Sequence, residues 1–97
     1  MNVVKVDGKN SKHRVLLYAL STCGWCRKTK KFLTDNSVAH GYIDVDLCTD
    51  EEYEQICRDI LERGGRIAFP TLIVDDSRLI TGFNVDEIRE ALEIGNT

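Results

Sequence analysis

Cys23 and Cys26 stand in the stretch "STCGWCRKTKKF", Ser21 to Phe32, with Gly24 and Trp25 between them and Arg27, Lys28, Lys30 and Lys31 behind them. A pair at this spacing can form and break a disulfide, supply half of a tetrahedral metal site, or serve as two small buried thiols. A structural zinc site needs four ligands. Cys48 and Cys57 do not make a second C-x-x-C, and His13 and His40 lack zinc-ligand spacing. Disulfide exchange needs one thiol that ionises readily, because the thiolate is the attacking species, and a second thiol within reach.

The elements around the pair bear on this choice. "RVLLYAL", Arg14–Leu20, is a nearly continuous apolar run and reads as a strand buried on both faces. Beyond the motif, Cys26, Thr29, Phe32 and Leu33 recur at helical spacing, with Asn36 as a stop. Cys23 is therefore expected where a strand gives way to a helix. A helix N-terminus carries about half a positive charge and unpaired N–H groups, and both favour a thiolate. The basic run adds a field that solvent partly screens. Cys23 is then the expected nucleophile. Cys26, on the core-facing stripe, is the expected resolving thiol.

The rest of the chain alternates in the same way. "VVKV", Val3–Val6, reads as a short edge strand, and Asp7–His13 as a turn or mobile loop with Asp7-Gly8 as a hairpin signal. His40–Leu47 sets Tyr42, Asp44 and Asp46 against Ile43, Val45 and Leu47, the period of a strand with one face on the core. Thr49 and Glu52 form a capping box for a second helix with Tyr53, Ile56, Cys57, Ile60 and Leu61 on its stripe, ended by Gly64-Gly65. Thr71–Asp76 and Arg78–Thr81 read as strands joined by a tight turn. Asn84 and Glu87 cap a last helix carrying Val85, Ile88, Ala91 and Leu92. The order β–α–β–α–β–β–α predicts a thioredoxin-like α/β fold: a four-stranded mixed sheet with helices on both faces and Val3–Val6 as an added edge. Cys57 is expected in the core, and Cys48 as a partly exposed, passive thiol.

The chain has 97 residues, 42% hydrophobic and 30% charged, which argues for one soluble domain, residues 1–97, with its core over about 14–94. A net charge of −3 argues against nucleic acid or anionic membrane as partners. No run approaches the ~20 apolar residues of a membrane span, and no signal segment is visible. The expected compartment is the cytoplasm, where paired cysteines are catalytic or metal-binding more often than structural. A monomer is expected.

Three motifs, "STCGWC", "FPT" around Pro70, and "TGFNVDEI" from Thr81 to Ile88, together resemble the glutaredoxin family in order and spacing, over roughly Arg14 to Leu92. The last resembles the S-G-F-x-P-D pattern of glutaredoxin-like redoxins that reduce ribonucleotide reductase. The resemblance implies a dithiol–disulfide oxidoreductase and an electron carrier of cell redox homeostasis. It implies a cis Pro70 facing the dithiol and a Phe69 backbone turned outward to pair with an extended substrate. Gly24, Trp25, Arg66, Gly82, Phe83 and Asp86 would be further contacts. The implied partners are a disulfide-containing protein and, as electron donor, glutathione or a thioredoxin-reductase-type enzyme, with no bound cofactor. The chain carries C-G-W-C where typical members carry C-P-Y-C. Leu20 occupies a position that is often basic, where it would meet a glutathione carboxylate. Gly24 in place of the loop proline keeps open an alternative, a [2Fe–2S] carrier with Cys23 and glutathione as ligands. A purely structural domain would leave the paired cysteines without a use.

Overall fold

Residues 2–95 are described by the computed structural model. In chain order they form β1 (Val4–Val6), β2 (Val15–Ala19), α1 (Gly24–Asp35), β3 (His40–Asp44), a 3-10 turn (Val45–Leu47), α2 (Asp50–Glu62), β4 (Thr71–Val74), β5 (Arg78–Thr81) and α3 (Val85–Leu92). β2 is the apolar run that precedes the cysteines, and Leu17, Tyr18 and Ala19 are buried in it. A strand buried on both faces needs a neighbour on each edge and a cover on each side. It has both, as the centre of a five-stranded sheet of order β1-β3-β2-β4-β5. β2 and β3 pair in parallel across α1, and the other neighbours pair antiparallel. The expected edge strand is present as β1, paired Val4 to Tyr42 and Val6 to His40.

Alternation along the strands divides the core in two. Val15, Leu17, Ala19, Leu72 and Val74 pack with Cys26 and Leu33 of α1 and with Ile88, Ala91 and Leu92 of α3. Tyr18, Ile43 and Ile73 pack on the other face with Ile56 and Ile60 of α2. The helix ends follow their sequence signals. Thr49 and Glu52 close a reciprocal capping box. Gly64, at φ 85°, donates to Leu61 O while Gly65 donates to Ile60 O, the paired bonds of a Schellman ending. Asp75 and Asp76 both take positive φ, the two-residue turn that matches strand twist, and Ser77 N–H closes it on Val74 O. β4 therefore stops at Val74 rather than Asp76.

Three further expectations are corrected. The strand from His40 stops at Asp44, and Leu47 is 73% exposed instead of facing the core. Asp46 explains this: its carboxylate accepts Ser21 N–H and Ser21 Oγ–H, which pulls the chain out of the sheet. Asp7-Gly8 is not a hairpin turn, because β1 pairs with β3 and not with β2. The segment after it is tied down, with Asn10 N–H on Ser37 O and Ala39 N–H on Asn10 O, both 2.9 Å. Cys57 is half-buried rather than a core residue. Ile56 and Ile60 are the buried residues of α2, Asp59 accepts the Tyr18 hydroxyl at 2.7 Å, and Tyr53 and Leu61 are exposed.

A Cβ on Gly8 would lie 2.4 Å from Ser37 O, while one on Gly24 meets nothing within 4 Å. Gly8→Ala should cost about 1–3 kcal/mol, the range for overpacking. Gly24→Ala should stay within about 0.5 kcal/mol. Denaturant midpoints of the two variants measure the difference.

Candidate active site

The chain turns sharply at the end of β2, with Cys23 N–H on Leu20 O at 3.2 Å. Cys23 then takes the extended conformation of an N-cap, and its Sγ accepts the Cys26 N–H at 3.3 Å. The half-buried sulfur thus occupies the place of a capping oxygen on α1, among the unpaired N–H groups of the first turn. Cys26 is fully buried behind it, and Leu20 N–H donates to its Sγ at 3.4 Å. All four cysteines are free thiols.

The two environments push the two thiols apart. At Cys23, slight burial opposes ionisation. It is outweighed by hydrogen bonds from the Cys26 thiol and from the Cys26 and Trp25 N–H groups, together with the Arg27 charge, so the pKa falls below the ordinary thiol value. At Cys26, burial comes first. Donation of its proton to Cys23 and the Cys23 charge add to it, and the pKa is pushed up to about 12. The first thiol ionises more readily than an ordinary one, and the second holds its proton.

The sheet brings the distant motifs to this end. Tyr18 of β2 pairs with Thr71 of β4, and Thr71 with Thr81 of β5, so Pro70 and Gly82 lie beside the strand that leads into Cys23. The Phe69–Pro70 bond is cis, and Gly82, at φ 81°, donates its N–H to Pro70 O at 2.8 Å. Leu20, Cys23, Phe69 and Phe83 pack against one core cluster. Phe83 stands 6.2 Å from Trp25 and 6.0 Å from Phe32, centre to centre, an aromatic rim along one side of the dithiol. Trp25 is 58% exposed, so it faces outward and is no part of the core. Lys28 Nζ lies 4.4 Å from its ring centre.

Arg66 and Asp86 are exposed. No hydrogen bond, ion pair or ring contact among the described residues joins them to the cysteines or the aromatic rim. Cys48 is half-buried, and its thiol donates to Asp44 O at 3.7 Å. No group of three or more His, Cys, Asp or Glu among the described residues is placed to hold a metal ion. Sequence reasoning missed the supports beneath the motif: the Ser21–Asp46 brace, and the ion pair of Lys30 with Asp44 over the Tyr42 ring. One signal for the second was available. Lys30 follows Cys26 by one helical turn.

The glutaredoxin family model matches residues 15–79, which contain the dithiol and Pro70. The chain belongs to the glutaredoxin family. Glutaredoxins as a family are thiol–disulfide oxidoreductases. The structure is similar to that of the glutaredoxin from Methanosarcina mazei Go1, at TM-score 0.84 and 39% identity, covering 95% of this chain and 88% of that one. It is similar to Methanosarcina acetivorans methanoredoxin, at TM-score 0.76 and 43% identity, over 81% and 83% of the two chains. A glutaredoxin-like 8.6 kDa protein encoded in a rubredoxin operon of Clostridium pasteurianum is 29% identical over 79 residues, 81% of this chain and 97% of that protein. No helix among the described residues is long and apolar enough to cross a membrane.

The opposed shifts predict an alkylation profile. The Cys23 pKa is lowered. Its reactive fraction should therefore rise at a pH below the ~8.5 of a free thiol. Burial and the nearby Glu52 charge raise the Cys48 pKa, so Cys48 should follow only at higher pH. Iodoacetamide labelling against pH, read peptide by peptide in a mass spectrometer, should give Cys23 first and Cys26 last.

Proposed function

We propose that this glutaredoxin reduces protein disulfides by a dithiol mechanism, with Cys23 as nucleophile and Cys26 as resolving thiol. The observation that carries the reading is the capping bond from Cys26 N–H to Cys23 Sγ, with Cys26 buried behind it. The Cys23 thiolate attacks one sulfur of the substrate disulfide. A mixed disulfide forms and the other substrate sulfur leaves as a thiolate, which takes a proton from solvent. Cys26 then attacks Cys23. The bond between Cys23 and the substrate breaks, the electron pair leaves on the substrate sulfur, and the Cys26 proton ends there. Two electrons have passed from the dithiol to the substrate.

The surroundings suit a macromolecular substrate. Trp25 and Phe83 offer an exposed apolar rim, the Phe69 backbone beside cis Pro70 would pair with an extended segment, and Gly82 leaves room for it. Arg66 and Asp86 are outer contacts in this reading. Glutathione or a thioredoxin-reductase-type enzyme returns the oxidised pair to the dithiol. Leu20, apolar where a carboxylate of glutathione would seek a cation, favours the enzyme as donor. The working form is a cytoplasmic monomer with no bound cofactor.

Cys23→Ser should reduce insulin disulfides at no more than the uncatalysed rate. Cys26→Ser should accumulate a mixed disulfide carrying one substrate molecule per chain, visible by intact mass. Retention of activity in Cys23→Ser would remove the reading. A parallel assay with glutathione and its reductase against a thioredoxin-reductase-type flavoenzyme should show faster turnover with the flavoenzyme.

A further inference from the structure

Four cations follow the dithiol on α1, and one of them behaves differently. Arg27, Lys28 and Lys31 are exposed, whereas Lys30 turns inward. Its Nζ lies 2.8 Å from Asp44 Oδ1 and 4.1 Å from the centre of the Tyr42 ring. Side-chain exposure is 24% for Lys30 and 17% for Asp44, against 75% and 57% for the neighbouring Lys31–Asp35 pair. The exposed pair is screened and contributes little. The sheltered one keeps more of its field. Lys30 follows Cys26 by four residues, so the two side chains share a face of α1, one turn apart.

The second half of the exchange needs a charge at that place. In the reduced protein, burial and the bond to Cys23 hold the proton on Cys26. Once Cys23 is joined to substrate it carries no charge, and the bond that held the Cys26 proton is gone. Burial then opposes ionisation, and the influences favouring the thiolate are Leu20 N–H and the Lys30 charge. Asp44 sits on the ammonium and offsets part of its field. Asp46, held by Ser21, lies within reach of the same charge. The residues of β2, β4, β5 and α3 that share the core cluster of Cys26 are apolar.

We propose that Lys30, clamped between Asp44 and the Tyr42 ring, is the positioning residue that activates Cys26 for the resolving attack. The proposal rests on the dithiol reading above. Its chemistry is the resolving step already written: the Cys23–Cys26 bond forms, the Cys23–substrate bond breaks, and the Cys26 proton passes to the leaving sulfur. Lys30 stabilises the developing Cys26 anion and neither gains nor loses a proton.

Attack and resolution separate in a single turnover with dithio-bis-nitrobenzoate, in a Cys48→Ser/Cys57→Ser background. The first nitrothiolate released reports attack by Cys23, and the second reports resolution by Cys26. Lys30→Gln should leave the first release within about twofold and slow the second about tenfold, with its pH profile moved up by about one unit. Lys30→Arg should restore both. If Lys30→Gln does not fold, Lys30→Gln/Asp44→Asn, which strands no carboxylate, carries the same expectation. An unchanged second release would overturn the proposal, and so would equal slowing of both releases without a pH shift. A Cys48→Ser/Cys57→Ser protein with Lys30 intact that gives one release and no second would instead overturn the dithiol reading itself.

Discussion

The Cys23 sulfur receives the Cys26 N–H at 3.3 Å and completes the first turn of α1 in place of an oxygen. A neutral thiol is a poor acceptor, whereas a thiolate is a good one, and the N–H groups of a helix start are fixed in direction. Helix and thiolate therefore stabilise each other. Everything around the motif keeps that sulfur in place. β2 is anchored on both faces by the core, the turn at Leu20 sets the direction of the chain, and the Asp46 carboxylate holds Ser21 just before the cap. The brace adds to the Cys23 N–H bond on Leu20 O and the Leu20 N–H bond on Cys26 Sγ that span the strand-to-helix turn.

The same few ångströms make one residue type behave in two ways. Cys23 and Cys26 have identical side chains, yet the first is drawn towards its anion and the second away from it. Access and hydrogen bonding produce the difference. Cys23 lies at the helix end, where N–H groups converge. Cys26 lies one turn into the helix, on the stripe that packs against the sheet. The dithiol exchange proposed above uses this asymmetry, because attack requires a thiolate and resolution a thiol held in reserve.

The sheet makes the site larger than the dithiol. Strand pairing carries Pro70 and Gly82 to the end of β2, and the bond between Gly82 N–H and Pro70 O locks the two loops together. Phe83 then joins the aromatic rim that begins at Trp25. These contacts link residues far apart in the chain, and they exist because β4 lies between β2 and β5.

Local signals were legible wherever one residue's chemistry acts on its neighbours in the chain. The capping box at Thr49, the Gly64-Gly65 stop, the strand from Arg14, the dithiol at a helix start and the family motifs could all be read from the amino-acid order, because caps, turns and periodicity depend on residues a few positions apart. Cys57, Leu47 and Asp7-Gly8 could not be read correctly. Each depended on a partner elsewhere: the narrow seat of α2 on the sheet, the pull of Ser21 on Asp46, and the pairing of β1 with β3. The sequence by itself determined the fold class, the cysteine pair and its place at a helix start. Only the tertiary structure decided that Cys57 stays half-buried and which lysine of a basic run turns inward to Asp44. Burial and the range of a charge depend on what packs alongside, and packing joins residues that the chain keeps apart.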